Sequence, residues 1–192
     1  MNKKIWLGLL AGALSSWGLP SMAWAEEDLM SKMINKETNG TWYILPDKPK
    51  AKHFAVPELP GGYAFRVKAD KGRNPWDVQA SSPIAGAIKE GDVVMLMYYA
   101  RAAEPAEGGS KLTARVQLAG PPWTSILDVN SDISGEWKSY CGFRVANTNI
   151  EEKKGSVSIH LATAKQVIEL GPVLVFNFGN GYDQKKLEFC KS

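Results

Sequence analysis

Residues 111–118 read KLTARVQL, and residues 156–162 read SVSIHLA. In both stretches apolar residues alternate with polar ones. A period of two indicates a β-strand with one buried and one polar side, because successive side chains point to opposite faces. The two stretches therefore predict two strands of a half-buried sheet. Their polar sides carry Thr113, Arg115 and Gln117 in the first strand, and Ser156, Ser158 and His160 in the second.

The same texture extends on both sides of these two strands, from residue 39 onward. Short apolar or alternating segments are separated by clusters of Gly, Pro and Asn, the residues that turns require. Many short strands with this spacing predict an all-β fold, a β-sandwich. Residues 93–101 are apolar on both sides, which predicts a central strand covered above and below. The predicted strands are 63–69, 92–101, 111–118, 136–145, 156–162, 166–170 and 173–178.

The first 25 residues predict a secretory signal peptide. They combine a cationic start, an apolar run at 5–14 and an Ala-Trp-Ala cleavage site at 23–25. The apolar run is shorter than the ~20 residues that span a bilayer. We therefore expect a mature chain that starts at Glu26 and is periplasmic or secreted.

Cleavage would leave 167 of the 192 residues, which is the length of one domain. Residues 26–53 are expected to form an N-terminal segment. It would include a short helix within 26–36, where apolar residues recur at helical spacing. The β-sandwich domain is expected over 54–192.

The charge of the mature chain is close to neutral. After Lys3 and Lys4 are removed, 21 basic residues face 20 acidic residues. Nucleic-acid binders carry a strongly basic surface, so no nucleic-acid partner is predicted. No later stretch is apolar enough to predict a membrane partner.

The two cysteines, Cys141 and Cys190, predict a disulfide in an exported protein. Closing a loop of roughly 50 residues stabilises a fold by about 4 kcal/mol in the chain-entropy model. The alternative is a pair of unpaired thiols. Two Cys and two His without CxxC or HxxxH spacing do not predict a metal site.

Signs of catalysis are sparse, and the chain is not predicted to be an enzyme. Only His53 and His160 offer an imidazole base, and the chain has no GxSxG, phosphate-loop or HExxH motif. A carboxylate pair of the glycosidase type would have to come from Asp77, Asp128 or Glu169. The simpler interpretation is that these three acids are solvated or salt-bridged.

Aromatic and planar polar residues instead predict a binding site. Sugars present apolar CH faces and hydroxyls, so proteins bind them by stacking aromatic rings and by hydrogen bonds from planar polar side chains. Two tryptophans lie in loops, one in Asn-Pro-Trp-Asp at 74–77 and one after Pro121-Pro122. The predicted ligand-binding residues are Trp76, Gln79, Arg115, Gln117, Trp123 and His160.

Each of these residues also has a simpler interpretation. Trp76 could be a core or hinge residue, and Trp123 could close one end of the sandwich. Arg115 and Gln117 could be ordinary surface residues, and His160 a hydrogen-bonded structural histidine. Four other aromatic residues, Trp42, Tyr43, Trp137 and Tyr140, are assigned to packing.

Six segments in order resemble the family 4/9 carbohydrate-binding modules of polysaccharide-degrading enzymes. The resemblance covers about residues 60–180, most of the mature chain. The segments are GYAFRV at 62–67, NPWDVQ at 74–79, IKEGDVVMLMYYARA at 88–102, RVQ at 115–117, EWKSY at 136–140 and IELGPV at 168–173.

The resemblance implies a jelly-roll β-sandwich of the galactose-binding-like type, with a polysaccharide in a groove across one concave sheet. It implies a stacking role for Trp76 and hydroxyl contacts for Arg115, Gln117 and His160, with Gln79 beside them. The protein would be a non-catalytic module whose second partner is a separate polysaccharide-degrading enzyme. Two alternatives from other classes are an envelope protein–protein interaction module and a small glycan-active hydrolase.

The resemblance also implies a structural calcium, which family members hold with an Asp in the last strand. Here residues 173–178 contain Asn177 and no acid. The sequence therefore does not support calcium or any other cofactor.

Overall fold

The computed structural model describes residues 29–36, 40–46 and 52–190. The predicted signal peptide lies outside these ranges. The described residues form ten strands and three short 3-10 helices, the latter at Pro60–Gly62, Pro75–Asp77 and Gln184–Cys190. The strands are β1 (Tyr43–Leu45), β2 (Lys52–Ala55), β3 (Tyr63–Ala69), β4 (Gln79–Ile84), β5 (Asp92–Glu104), β6 (Ser110–Leu118), β7 (Ser125–Ile133), β8 (Lys138–Val145), β9 (Gly155–His160) and β10 (Gln166–Asn180).

The strands make two five-stranded antiparallel sheets. Sheet 1 has the order β1-β4-β9-β6-β7, and sheet 2 has the order β2-β3-β10-β5-β8. Alternate residues of both sheets meet in one core, with Val116 and Ile159 from sheet 1 and Leu96 and Ile168 from sheet 2 fully buried. The predicted all-β sandwich is therefore confirmed. The two strands with clear alternation, β6 and β9, are neighbours in sheet 1.

Sheet 2 is covered on both faces, as the apolar run at 93–101 predicted. The outer side chains Met95 and Phe176 pack against Leu187 of the C-terminal 3-10 helix. A disulfide between Cys141 and Cys190 ties that helix to β8. The predicted disulfide is thus confirmed.

The predicted strand at 63–69 matches β3, and four others match within a few residues. The predictions at 166–170 and 173–178 were wrong in one respect, because both segments belong to the single strand β10. The pairing with β5 shifts register between Leu170 and Val173, so a β-bulge accommodates Pro172, which has no N–H to donate to the ladder.

Sequence reasoning missed three strands outright, and it did not delimit β4. Strands β1 and β2 have three and four residues, too few for a period to be visible. Strand β7 reads SILDVNSDI, in which turn-forming residues obscure the alternation. Tertiary pairing with β6 holds β7 in the sheet despite its composition.

The segment that was expected to precede the sandwich contributes to both sheets. Residues 29–31 are helical, and Met33 then bridges to Phe176. Strand β1 pairs with β4 in sheet 1, and β2 pairs with β3 in sheet 2. The expected boundary between residues 53 and 54 therefore falls inside the folded unit. No helix in the described ranges is long and apolar enough to cross a bilayer.

Candidate binding site

The polar sides of β4, β6 and β9 form one continuous face on the outside of sheet 1. Register places Arg115 opposite Ser158, and His160 between Thr113 and Gln79. Antiparallel partners project to the same side of a sheet. The polar positions of β6 and β9 are therefore side by side.

A cleft of about 700 Å³ lies on this face. Two loops, one before β4 and one before β7, form its ends. All six residues predicted to bind ligand line it. Its lining residues are Leu45, Trp76, Gln79, Arg115, Gln117, Pro122, Trp123 and His160.

Trp76 lies in the 3-10 turn before β4. Asp77 closes this turn by accepting hydrogen bonds from the backbone N–H groups of Arg73 (2.8 Å) and Asn74 (3.0 Å). These bonds, above all those from Asn74, lower the pKa of Asp77. The indole is 53% exposed, with its centroid 5.9 Å from that of the His160 ring at an interplanar angle of 60°. Trp76 is therefore not a core residue.

Trp123 lies at the other end of the cleft, in the turn between β6 and β7. Its φ of 51° is in the left-handed region, and its N–H donates to Gly120 O at 2.7 Å. Leu118 N–H donates to Thr124 O at 3.0 Å and closes the hairpin behind it. The indole is half-exposed, so it does not plug the sandwich.

Arg115 is held in place by Asp128 of β7. Its Nε donates to Asp128 Oδ1 at 2.9 Å, and Ser125 Oγ donates to the same oxygen at 2.5 Å. Burial alone would raise the pKa of Asp128, but the bonds from Ser125 and Arg115 outweigh it and lower the pKa. The sequence analysis considered Asp128 only as a possible catalytic acid, whereas the structure places it as the partner of Arg115.

Gln117 lies in the floor of the cleft and is only 6% exposed. Its Oε1 is buried and has no hydrogen-bond partner among the described residues. Leaving a buried acceptor unpaired costs about 1–3 kcal/mol. Two other buried side-chain atoms of the described residues, Tyr98 OH and Gln166 Oε1, also lack a partner, so this feature is not confined to the cleft.

The polar face is more buried than the alternation predicted. Ser156, Ser158 and His160 were expected to be open, but all are buried. Strand β9 is the central strand of sheet 1, so β4 and β6 flank it on both sides and their side chains lie beside its polar residues. Ser158 Oγ donates to Gln79 Oε1 across that junction.

His160 combines burial with a neighbouring positive charge. Burial lowers the pKa of its imidazole, and Arg115 lowers it further, against an opposing effect of Asp128. The imidazole is therefore neutral near pH 7, with one ring nitrogen as a donor and one as an acceptor.

The three acids considered for catalysis do not come together. Asp77 caps its own turn, and Asp128 holds Arg115. Glu169 lies on the outer face of sheet 2, where it forms ion pairs with Arg66 and Arg101. The structure thus favours the salt-bridged or capping interpretation for all three.

The residues assigned to packing divide into two groups. Trp42 donates from Nε1 to Gly171 O at 3.0 Å and is buried, and Tyr140 stacks on buried Tyr98. Tyr43, by contrast, is 56% exposed. It pairs with Ser81 and lies on the same face of sheet 1 as the cleft. Packing was the wrong assignment for Tyr43, and only the unpredicted strand β1 places it there.

The calcium that the sequence resemblance implies does not fit these residues. In the last strand, Asn177 turns its amide nitrogen toward Asp92 Oδ2 (2.8 Å) and Ala87 O (3.2 Å). A metal ion needs oxygen atoms there, not an N–H donor. Within the described ranges no three His, Cys, Asp or Glu side chains cluster as metal ligands.

Comparison with known proteins gives a fold and no sequence family. No protein-family model matches the chain, and no curated protein matches it. A solved structure described as "CBM4 structure and function" is 16% identical, with a TM-score of 0.54, over 71% of this chain and 94% of that one. The second N-terminal cellulose-binding domain of Cellulomonas fimi β-1,4-glucanase C is 18% identical, with a TM-score of 0.52, over 78% and 93%.

A third solved structure contains the CBM22-1 and GH10 modules of Clostridium thermocellum endo-1,4-β-D-xylanase 10B with xylohexaose. It is 17% identical, with a TM-score of 0.50, over 79% of this chain and 29% of that one. These likenesses show that the chain has the β-sandwich fold of a carbohydrate-binding module. The resemblance drawn from the six sequence segments is confirmed at the level of the fold.

Proposed function

We propose that this chain is an exported, non-catalytic protein that binds polysaccharide in the cleft of sheet 1. One observation carries the proposal. Six side chains from β4, β6, β9 and two loops, two of them half-exposed indoles, meet in one cleft on the outer face of sheet 1. Structural neighbours whose names include a cellulose-binding domain and a xylohexaose complex support the same class of ligand.

The chemistry of the cleft suits sugar rings. The half-exposed indoles of Trp76 and Trp123 offer flat apolar surfaces at opposite ends of the strands, so they flank a chain that crosses the strands. Between them, Arg115 retains N–H donors beyond the Nε that Asp128 uses. A sugar hydroxyl can accept a hydrogen bond from these donors.

The strand register supports a proposed direction for the bound chain. Tyr43, Ser81, Ser158, Arg115 and Asp128 form one row across all five strands of sheet 1. Adjacent strands lie ~4.8 Å apart, which is close to the length of one sugar unit in an extended chain. We therefore propose that a glycan lies across the strands and that Tyr43 adds a stacking surface at the sheet edge.

The same contacts argue against a hydrolase. Its signature would be a nucleophile or second acid within hydrogen-bond reach of His160. Ser158 is engaged with Gln79, and Asp128 with Arg115 and Ser125. The predicted signal peptide and the disulfide support export, and a separate polysaccharide-degrading enzyme is the proposed partner.

Isothermal titration of the mature protein with xylo-, gluco- and manno-oligosaccharides tests the proposal. We expect binding to at least one series, with affinity that rises with chain length until the row of five strands is filled. Trp76→Ala and Trp123→Ala should each weaken binding at least about tenfold, since a central aromatic contact is commonly worth 2 kcal/mol or more. Trp137→Ala, on the outer face of sheet 2, is the matched control.

Failure to bind any of the three series, together with capture of an envelope protein through Trp76, would replace this proposal with the docking alternative. Release of reducing ends on incubation with the same oligosaccharides would replace it with the hydrolase alternative.

A further inference from the structure

Asn177 connects the last strand to the loop that precedes β5. Its Nδ2 donates to Asp92 Oδ2 at 2.8 Å and to Ala87 O at 3.2 Å. Its Oδ1 accepts from the Gly179 N–H at 2.9 Å. The Gly179 bond fixes the orientation of the amide, because only an oxygen can accept there. The nitrogen end therefore faces the two oxygens.

Asp92 is a buried carboxylate, and burying a charge is costly unless hydrogen bonds compensate it. Its Oδ2 also accepts from the Lys89 N–H at 2.9 Å. Across the hydrogen bonds and ion pairs of the described residues, the carboxylate of Asp92 meets only neutral N–H donors. Its backbone carbonyl accepts from the Ala146 N–H at 2.8 Å. Asp92 thus connects the loop at 87–89, strand β5, Ala146 and strand β10, and we call this site the Asp92 corner.

A carboxylate and a backbone carbonyl that converge on one point are ligands that a hard cation prefers. An acid in the last strand would complete such a set. In this chain the side-chain amide of Asn177, in the last strand, occupies that point. It donates one hydrogen bond to Asp92 Oδ2 and one to Ala87 O, where a cation would supply positive charge.

We propose that the Asn177 amide takes the place of a calcium ion at this corner. Its N–H groups hold Asp92 and Ala87 together, so the sandwich closes without a divalent cation. Asn177→Asp converts the corner into a calcium site, because it puts a second carboxylate beside Asp92 Oδ2 and Ala87 O. The inference does not depend on the proposed function, since the corner lies outside the cleft lining.

Thermal unfolding of the purified mature protein, followed by circular dichroism in EDTA and then in millimolar calcium, tests this. The wild-type midpoint should be the same in both solutions. Asn177→Asp should lower the midpoint in EDTA by at least about 2–4 °C, the shift that a modest destabilisation produces in a chain of this size. Calcium should restore it, since a ligand that binds only the folded state stabilises that state.

Two matched variants isolate the effect. Asn177→Ala removes the donor without adding a charge, so it should lower the midpoint and not respond to calcium. Asn147→Asp adds the same charge at an exposed asparagine and should leave the midpoint and its calcium response unchanged. A lower wild-type midpoint in EDTA would overturn the proposal, because a resident cation would then be stabilising the fold. It would also be overturned if Asn177→Asp were destabilised but not rescued by calcium.

Wild-type protein provides a measurement that does not depend on the folding of Asn177→Asp in EDTA. Titration of calcium into the chelator-treated wild type should give no binding heat at the affinities of about 10⁻⁴–10⁻³ M that extracellular calcium modules show. Binding in that range with a rise in the midpoint would contradict the inference.

Discussion

The outer faces of the two sheets use similar residues in different ways. On sheet 2, Glu169 is fully buried between Arg66 and Arg101, and the two guanidinium groups lie over the rings of Phe54 and Trp137. On sheet 1, Asp128 holds Arg115, and the rings of Trp76 and Trp123 that line the same cleft stay half-exposed.

The difference lies in how completely the polar groups are paired. Both oxygens of Glu169 have an arginine partner, and the cations are in turn covered by rings. In the cleft, Gln117 Oε1 has no partner among the described residues. A polar row with all partners in place stabilises the fold, whereas a row flanked by half-exposed aromatic rings is suited to a ligand.

Breaking the ion pairs of Glu169 with Arg66 and Arg101 should have the largest effect on stability. Glu169→Gln removes the charge that compensates two arginines, and we expect the free energy of unfolding to fall by about 2 kcal/mol. This is below the 3–5 kcal/mol typical of buried pairs, because solvent screens the exposed parts of both arginines. Urea unfolding measures the change, and Glu107→Gln in an exposed loop is the control. Loss of glycan affinity in the folded variant would contradict the separation of the two faces.

Replacing Gln117, whose buried oxygen has no partner among the described residues, should move stability and binding in opposite directions. Gln117→Leu removes an unpaired buried oxygen, so the free energy of unfolding should rise by up to about 1 kcal/mol while glycan affinity falls about tenfold. Gln166 is a buried glutamine outside the cleft whose Oε1 also lacks a partner among the described residues, but whose Nε2 donates to Leu161 O at 2.8 Å and to Thr163 Oγ1 at 3.2 Å. Gln166→Leu removes those two bonds together with the unpaired oxygen, so it should not raise stability, and it should leave affinity unchanged. A Gln117→Leu variant with both lower stability and unchanged affinity would show that this side chain is structural.

Releasing the arginine of the cleft should have a smaller effect. Asp128→Asn keeps the size of the side chain but removes the charge that holds Arg115 Nε, so we expect affinity to fall about three- to tenfold through looser positioning. Titration calorimetry at low and high salt measures it. If the double variant binds as weakly as Arg115→Gln alone, Asp128 acts only through Arg115. A further loss in the double variant beyond that of Arg115→Gln would show that Asp128 also contacts the ligand directly.

The pH dependence of His160 should be the smallest effect. Its pKa in the folded chain is below the ordinary value of 6.5, so the unfolded chain takes up a proton first as the pH falls. The contribution of His160 to the free energy of unfolding is therefore fully present above pH 6.5, and it is lost as the pH falls from 6.5 through the lowered pKa. Urea midpoints across this window should slope in the wild type and flatten in His160→Gln. An unchanged slope in the variant would assign the dependence to other groups.

Several features of the site could be read from the sequence, because they depend on local patterns. Alternation placed Arg115 and Gln117 on one side of β6, and the Pro-rich turns placed Trp76 and Trp123 in loops. Other features depended on strands without a visible period. Asp128 lies on β7 and Tyr43 on β1, and neither strand was predicted. The burial of His160 followed from the central place of β9, which only the strand order gives.

The sequence by itself determined the two-residue period of the strands, the positions of the turns and the side of each strand that is polar, because these depend on neighbours along the chain. Tertiary structure decided which polar sides share a face, which acid holds Arg115, and that Gln117 Oε1 is left without a partner. Those outcomes depend on the order in which strands pair, and pairing brings together residues that are far apart in the chain.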